Sequence, residues 1–172
     1  GLSEEFIGRA LKGKRHKAVV ATKVAGFVAE GPNGGGLSRQ HIITEVENSL
    51  RRLGTDYIDL YQTHFTDPNT PIEETLRALD DLVRQGKVRY IGCSNQMAWQ
   101  VCEAIYTSRS LGITEFISVQ PRYNMLDRGI EDELAVFSLQ YGVGILPYYP
   151  LANGFLTGKY KRSQPPSEGT RL

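Results

Sequence analysis

Polar side chains that could do acid–base chemistry follow the first two of five short apolar runs. Lys23 directly follows the first run, and His64 comes soon after the second. A lysine and a histidine at one site would supply two proton-transfer groups, because burial lowers the pKa of a lysine and a histidine titrates near neutrality. The residues that follow the third, fourth and fifth runs are hydrogen-bonding or aromatic: Ser94, Asn95, Gln120, Tyr148 and Tyr149.

Each of these residues also has an ordinary structural interpretation. Lys23 could simply reach water, and His64 could be a satisfied loop histidine. Ser94 and Asn95 are good N-cap residues for a following helix, the Gln120 amide could bond to backbone, and the tyrosines could be core aromatics. If the runs are parallel strands, however, their carboxyl ends meet at one edge. Together the residues then predict a rim that stacks on a flat heteroaromatic ring and binds its carboxamide.

The elements that must position these residues alternate between strand and helix. Short, mostly apolar runs predict strands that are covered on both faces, and they lie at 18–22, 57–61, 88–92, 116–119 and 143–146. Segments with helical spacing lie between them. Ile42, Val46, Leu50 and Leu53 form one stripe after Ser38, a predicted N-cap.

Three further helices carry terminal signals. Residues 70–73, Thr-Pro-Ile-Glu, predict a capping box with proline at the first helical position, and Gly86 predicts the end of that helix. A helix is predicted after Asp127, and the opening segment 4–12 is predicted to be helical, with Ser3 as its cap and Gly13 as its end. Residues 26–36 and 151–172 are rich in glycine or proline and predict long irregular loops.

A unit of about 30 residues that repeats strand and helix predicts a parallel α/β fold. Either an open doubly wound sheet or a (β/α)₈ TIM barrel fits the pattern. A complete barrel takes about 250 residues, and this chain has 172. Five strands would leave a barrel open, with exposed sheet edges and apolar faces. The chain also begins with a helix that no strand precedes, so we expect an internal piece of a longer chain, and both closures stay open on these grounds.

Several other classes are disfavoured by the sequence. The formal net charge of +1 predicts no broad surface for nucleic acid or an anionic membrane. No apolar run approaches the ~18 residues that span a bilayer, and there is no secretory signal pattern at residues 1–5. Motifs for a Rossmann dinucleotide site, a P-loop or a zinc site are absent. Two cysteines without CxxC spacing predict a reducing, cytoplasmic setting.

Six stretches of this sequence resemble sequence motifs of the aldo-keto reductase superfamily, and they occur in the same order as in that family. They include ATK at 21–23, SLRRLGTDYIDLYQTH at 49–64, GKVRYIGCSN at 86–95 and QPRYN at 120–124. The other two are SEEFIGRAL at 3–11 and YYPLANGFLTGKY at 148–160. They cover almost the whole chain. The resemblance implies a (β/α)₈ barrel that binds NADP(H) in extended form and reduces aldehydes and ketones by direct hydride transfer.

The same resemblance implies roles for particular residues. Lys23 and His64 match the catalytic lysine and histidine of the family. Three residues match the groups that bind the nicotinamide carboxamide, namely Ser94, Asn95 and Gln120, and Tyr148 matches the aromatic that stacks on the ring. The pyrophosphate-facing loop corresponds to 149–154, with Tyr149, Pro150, Leu151, Ala152 and Gly154. Lys159 and Arg171 match cations that contact the cofactor's phosphates.

The chain departs from the family pattern at its ends. The family's catalytic aspartate and tyrosine lie just before the Ser3-Glu4-Glu5 match, so we expect one domain over 1–172 that lacks two strands before it and the C-terminal part. We expect this chain alone to have negligible turnover with a small carbonyl substrate. Two alternatives stay open: a cofactor-binding regulatory subunit of the same superfamily, and a Schiff-base lyase that uses Lys23. The substrate and the oligomeric state are not predicted.

Overall fold

The computed structural model describes residues 1–161, 165, 168 and 169. Its strands form one parallel sheet in the order β1-β2-β3-β4-β5. The strands are β1 (Ala21–Val24), β2 (Ile58–Thr63), β3 (Val88–Ser94), β4 (Phe116–Gln120) and β5 (Gly144–Ile145). The helices between them are α1 (Leu2–Leu11), α2 (Arg39–Leu53), α3 (Ile72–Arg84), α4 (Ala98–Leu111) and α5 (Leu134–Tyr141). The predicted alternation of strand and helix is confirmed.

The core lies between the sheet and its helices. The predicted stripe of α2 is buried, with Ile42 and Val46 fully inaccessible to solvent. Ser38 caps this helix as predicted, because its hydroxyl accepts a hydrogen bond from the His41 amide at 3.3 Å. The sheet is open at β1 and β5, and Tyr90 and Ile117 on inner strands are 54% and 45% exposed. The expected exposed edges and apolar face are therefore present.

The first strand begins three residues later than predicted. A short 3-10 helix, Arg15–Lys17, precedes it, and Arg15 donates to the Ala18 carbonyl at 2.8 Å. The Val20 amide bonds to the side chain of Asp59 at 2.9 Å instead of joining the ladder. The Val20 amide thus bonds to a carboxylate where a strand residue would bond to a backbone carbonyl. Regular pairing of β1 with β2 starts only at Ala21.

Two predicted helix caps are wrong. Gly1 is the N-cap of α1, and Ser3 lies inside that helix. Pro71 is the N-cap of α3, and the Thr70 hydroxyl donates to the Asp67 carboxylate at 2.8 Å instead of capping the helix. The Thr70 side chain that the predicted capping box required is therefore used in a competing local turn at Asp67.

Three other elements differ from the prediction. The helix expected after Asp127 is split into a 3-10 turn, Gly129–Glu131, and α5. The break falls at residues 132–133, where Glu133 has a non-helical φ of −141°. Asn124 holds a turn just before the 3-10 turn, since its side-chain oxygen accepts from the amides of Leu126 and Asp127. β5 has only two residues, and the predicted irregular loop after Leu151 contains a 3-10 helix, Ala152–Thr157. Residues 26–36 form turns and bends, as expected.

None of the helices within the described residues is long and apolar enough to cross a bilayer.

Candidate active site

Asn95 joins three strand ends into one hydrogen-bonded rim. Its side-chain nitrogen donates to the His64 carbonyl at 2.9 Å and to the Ser94 hydroxyl oxygen at 3.1 Å. Its side-chain oxygen accepts from the Tyr148 hydroxyl at 2.7 Å. Asn95 has a φ of 56°, a left-handed conformation that asparagine tolerates better than most residues. The residues predicted after the second, third and fifth strands are therefore brought together.

Ser94 and Gln120 extend this rim along the neighbouring strand. The two residues pair in register across β3 and β4, and the Ser94 hydroxyl donates to the Gln120 carbonyl at 2.8 Å. The alternative in which Ser94 or Asn95 caps the next helix is wrong, because Met97 is the N-cap of α4. Within the described residues the Gln120 side-chain amide has no hydrogen-bond partner, so it is available to a ligand.

Lys23 and His64 line one cleft of 590 Å³ at the open edge of β1. The two residues are close because Lys23 pairs in register with Gln62, two positions before His64, and the His64 amide donates to the Val24 carbonyl at 2.8 Å. The His64 ring stacks on Phe65 with centroids 4.1 Å apart. The sheet therefore places the predicted acid–base pair at a single position.

The electrostatics of this pair favour neutral forms more than water does. Burial lowers the pKa of the Lys23 ammonium. Burial also lowers the pKa of His64, and the positive charge of Lys23 lowers it further. No carboxylate of the described residues lies within salt-bridge distance of Lys23. The imidazole is thus neutral near pH 7, because its pKa lies below the ordinary value of 6.5.

The loop after β5 has an unusual backbone. Tyr149, Ala152 and Asn153 have positive φ angles of 58°, 45° and 56°, and Gly154 has a φ of 90°. Lys159 lies directly over Gly154: a Cβ atom added there would be 2.9 Å from the Lys159 Nζ. A side chain at this position would crowd the ammonium group and would be strained at a φ of 90°. Two residues predicted at this site, Gly154 and Lys159, are therefore neighbours, and the exposed ammonium is accessible to an anion.

The remaining predicted residues vary in their placement. Pro150 and Leu151 are exposed in the same loop, Ala152 is partly buried, and the Tyr148 and Tyr149 rings meet edge to face with centroids 5.1 Å apart. Arg171 lies outside the described residues. No cluster of three or more histidine, cysteine, aspartate or glutamate side chains that could hold a metal ion occurs in the described part of the chain.

Two residues of this region were not predicted from the sequence. Asn124 tethers the loop after β5, since its side-chain nitrogen donates to the Tyr149 carbonyl at 3.1 Å. Gln62 is completely buried beside Lys23, and its Oε1 atom has no hydrogen-bond partner. The available signal was a polar residue within an otherwise apolar strand, which is costly unless it is satisfied.

The fold agrees with the comparisons to known proteins. The model of the Aldo/keto reductase family matches residues 1–172, and the chain belongs to that family. The predicted resemblance and the partial (β/α) barrel are thereby confirmed.

Among curated proteins, the chain is 38% identical over 172 residues to the "Probable voltage-gated potassium channel subunit beta" of Oryza sativa. That alignment covers 98% of this chain and 52% of the rice protein. The chain is 41% identical over 183 residues to "Putative aryl-alcohol dehydrogenase AAD16" of Saccharomyces cerevisiae, covering 95% and 53%. It is 40% identical over 161 residues to aldo-keto reductase YhdN of Bacillus subtilis, covering 92% and 47%. The chain thus spans about half the length of these relatives.

Proposed function

We propose that this chain supplies the nicotinamide-binding rim and two acid–base side chains of an NADP(H)-dependent reductase. The substrates would be aldehydes and ketones, and the setting would be the cytoplasm. Family membership supports an oxidoreductase. The observation that carries the proposal is the convergence of the Asn95-centred rim with the Lys23 and His64 cleft at one edge of the sheet.

The rim suits a nicotinamide in its chemistry. A carboxamide needs both a donor and an acceptor, and the unpartnered Gln120 amide offers both. The hydrogen bond between Tyr148 and Asn95 holds the Tyr148 ring at the rim, where it would stack on a flat heterocycle. Lys159 beside Gly154 would pair with a phosphate oxygen. When bound, the cofactor supplies the hydride.

The two acid–base residues would act on the carbonyl oxygen of the substrate. Neutral His64 can donate a hydrogen bond that orients and polarises this oxygen without adding a charge. The Lys23 ammonium would stabilise the negative charge that develops on the oxygen as the carbonyl carbon is reduced. Preorganised donors of this kind are effective because they need no rearrangement during the reaction.

The reductase proposal is tested with the full-length gene product, NADPH and 4-nitrobenzaldehyde, by following absorbance at 340 nm. We expect steady-state oxidation of NADPH that depends on the aldehyde. The 172-residue chain assayed under the same conditions should show negligible turnover. Robust turnover by the 172-residue chain would contradict the expectation that the reaction needs the family's catalytic tyrosine, which is not among these residues.

A second candidate is a cofactor-binding regulatory subunit with little turnover. The similarity to a rice protein that carries the name of a potassium channel beta subunit favours it. Both candidates predict NADPH binding, so binding alone does not separate them. Tight NADPH binding by the full-length gene product, together with no reduction across a panel of aldehydes and ketones, would select the regulatory function.

A further inference from the structure

The described cations divide into those with a carboxylate partner and those without one. Ten lysine or arginine side chains form salt bridges, and they are spread over the surface: Arg15, Arg39, Arg52, Arg77, Arg84, Lys87, Arg89, Arg109, Arg122 and Arg128. The cations that lack a carboxylate within the described residues fall in two places. Lys23 and Lys159 lie at the candidate active site, and Lys161 follows Lys159 by two residues in the sequence. Arg9, Lys12, Lys14, Lys17 and Arg51 lie in or next to the C-terminal turns of α1 and α2.

Three cations of the second group line a groove that is distinct from the active-site cleft. This groove has a volume of 730 Å³ and runs between the C-terminal ends of α1 and α2. Arg9, Lys12 and Arg51 line it, and Glu5 is the one acidic residue among its lining residues. Two further lining arginines already have partners: Arg15 bonds to Asp59, and Arg52 bonds to Glu4. Arg9, Lys12 and Arg51 form no salt bridge within the described residues, so the groove keeps a net positive charge.

The floor of the groove is apolar and open. Leu11 and Leu53 contribute apolar surface, and Gly13 and Gly54 carry no side chain that would obstruct it. A Cβ atom added at either glycine would meet no atom within 4 Å. A ligand with anionic groups at its edges and aliphatic groups between them would match this arrangement.

We propose that the groove between α1 and α2 binds an acidic peptide segment of a partner protein, through Arg9, Lys12 and Arg51. A peptide of glutamates and leucines would place carboxylates against the cations and aliphatic side chains on the floor. Nucleic acid fits less well, because single strands need exposed aromatic faces for stacking. No aromatic side chain is among the residues that line the groove. The two nearby rings already carry guanidinium groups, since Arg9 lies over Phe6 at 4.5 Å and two arginines lie over Tyr57.

The test is a fluorescence anisotropy titration of the full-length gene product with fluorescein-labelled Glu-Leu-Glu-Glu-Leu-Glu. The groove variant Arg9→Glu/Lys12→Glu/Arg51→Glu is compared with a matched control, Arg77→Glu/Arg109→Glu/Arg128→Glu. Both triples change the charge by the same amount at exposed arginines or lysines. Far-UV circular dichroism and the thermal midpoint establish that both variants are folded.

We expect saturable binding that weakens with added salt. The groove variant should lose at least tenfold in affinity, and the control variant less than twofold. An equal loss in both variants would overturn the proposal, since attraction to net charge alone would explain it. The proposal would also fail if the wild-type protein did not bind the peptide, or if a DNA hexamer bound as tightly. None of these outcomes depends on reductase activity, so this test and that of the reductase function can fail separately.

Discussion

Buried charge is neutralised at the amino ends of the strands, here called the amino edge of the sheet. It is not neutralised at their carboxyl ends, here called the carboxyl edge. At the amino edge, Asp59 is buried and accepts from Arg15 at 2.7 Å, Arg89 at 2.9 Å and the Val20 amide at 2.9 Å. The two guanidinium groups also lie over the Tyr57 ring, at 4.1 and 4.0 Å. Burial alone would raise the pKa of Asp59, but these partners lower it below its usual value. At the carboxyl edge, Lys23 has no carboxylate partner among the described residues, and its pKa is lowered by burial.

The charges at the amino edge therefore contribute to stability, and the charge at the carboxyl edge is available for chemistry. A neutralised network stabilises the folded state and leaves no group available for reaction. An unneutralised, half-buried lysine costs stability, and it leaves a positive charge free to act on a ligand. We therefore expect substitutions at the two edges to affect different measurements.

The largest effect is expected from Lys23→Met. Loss of the charge that would stabilise the substrate oxygen should lower kcat by roughly 10² to 10⁴, and relief of the buried charge should leave the unfolding midpoint equal or higher. The full-length gene product is assayed for aldehyde reduction and unfolded in urea. The matched control is Lys17→Met, at an exposed lysine in the 3-10 helix before the amino end of β1 and outside the lining of the cleft, which should change neither. A normal kcat for Lys23→Met would contradict the proposal that the unneutralised charge at the carboxyl edge acts in the reaction.

Asp59→Asn should produce the opposite pattern. Two arginines and the Val20 amide would lose a buried charged acceptor, which costs roughly 3 kcal/mol of unfolding free energy. Urea denaturation measures this loss, and the kcat of the protein that remains folded should stay close to the wild-type value. Asp81→Asn is the control, because its salt bridge with Arg39 is exposed and should contribute little. A large drop in kcat for folded Asp59→Asn would show that the edges are coupled.

Asn95→Ala should weaken cofactor binding more than it weakens folding. Three hydrogen bonds to His64, Ser94 and Tyr148 would be lost at an exposed position, so we expect about a tenfold rise in the Kd for NADPH, equivalent to about 1.4 kcal/mol. Fluorescence titration measures it. Gln85→Ala, which removes an exposed amide at the C-cap of α3, outside the lining of the cleft, should leave the Kd unchanged. Equal affinities for wild type and Asn95→Ala would contradict the role of the rim.

The smallest effect concerns pH. Because the pKa of His64 is lowered in the folded state by burial and by Lys23, the unfolded chain takes up a proton first as the pH falls below about 6.5. The stability that neutral His64 allows is present above that pH and is lost as the pH falls towards the folded pKa. His64→Gln should therefore lose less stability than wild type between pH 7 and 5.5, as judged from urea midpoints. The two proteins losing stability in parallel would indicate that His64 titrates as it does in water.

How well the sequence predicted each feature depended on how local its cause was. The stripe and cap of α2 were predicted because Ser38, Ile42 and Val46 act within one helix. The caps at Ser3 and Thr70 were mispredicted, because Asp67 offered Thr70 a competing partner and the chain entered α1 earlier. The start of β1 was misplaced for a long-range reason, since Asp59, 39 residues away, binds the Val20 amide.

The sequence by itself determined the order of elements and the residue types at each strand end, because periodicity and polarity depend only on residues that are close together in the sequence. It also carried the family resemblance that the family match confirmed. Only the tertiary structure decided that Asn95 connects His64, Ser94 and Tyr148, that Asp59 is neutralised while Lys23 is not, and that three cations in or next to α1 and α2 line one groove. These relations depend on which residues of distant strands and helices become neighbours, and strand register and helix packing fix that only when the chain folds.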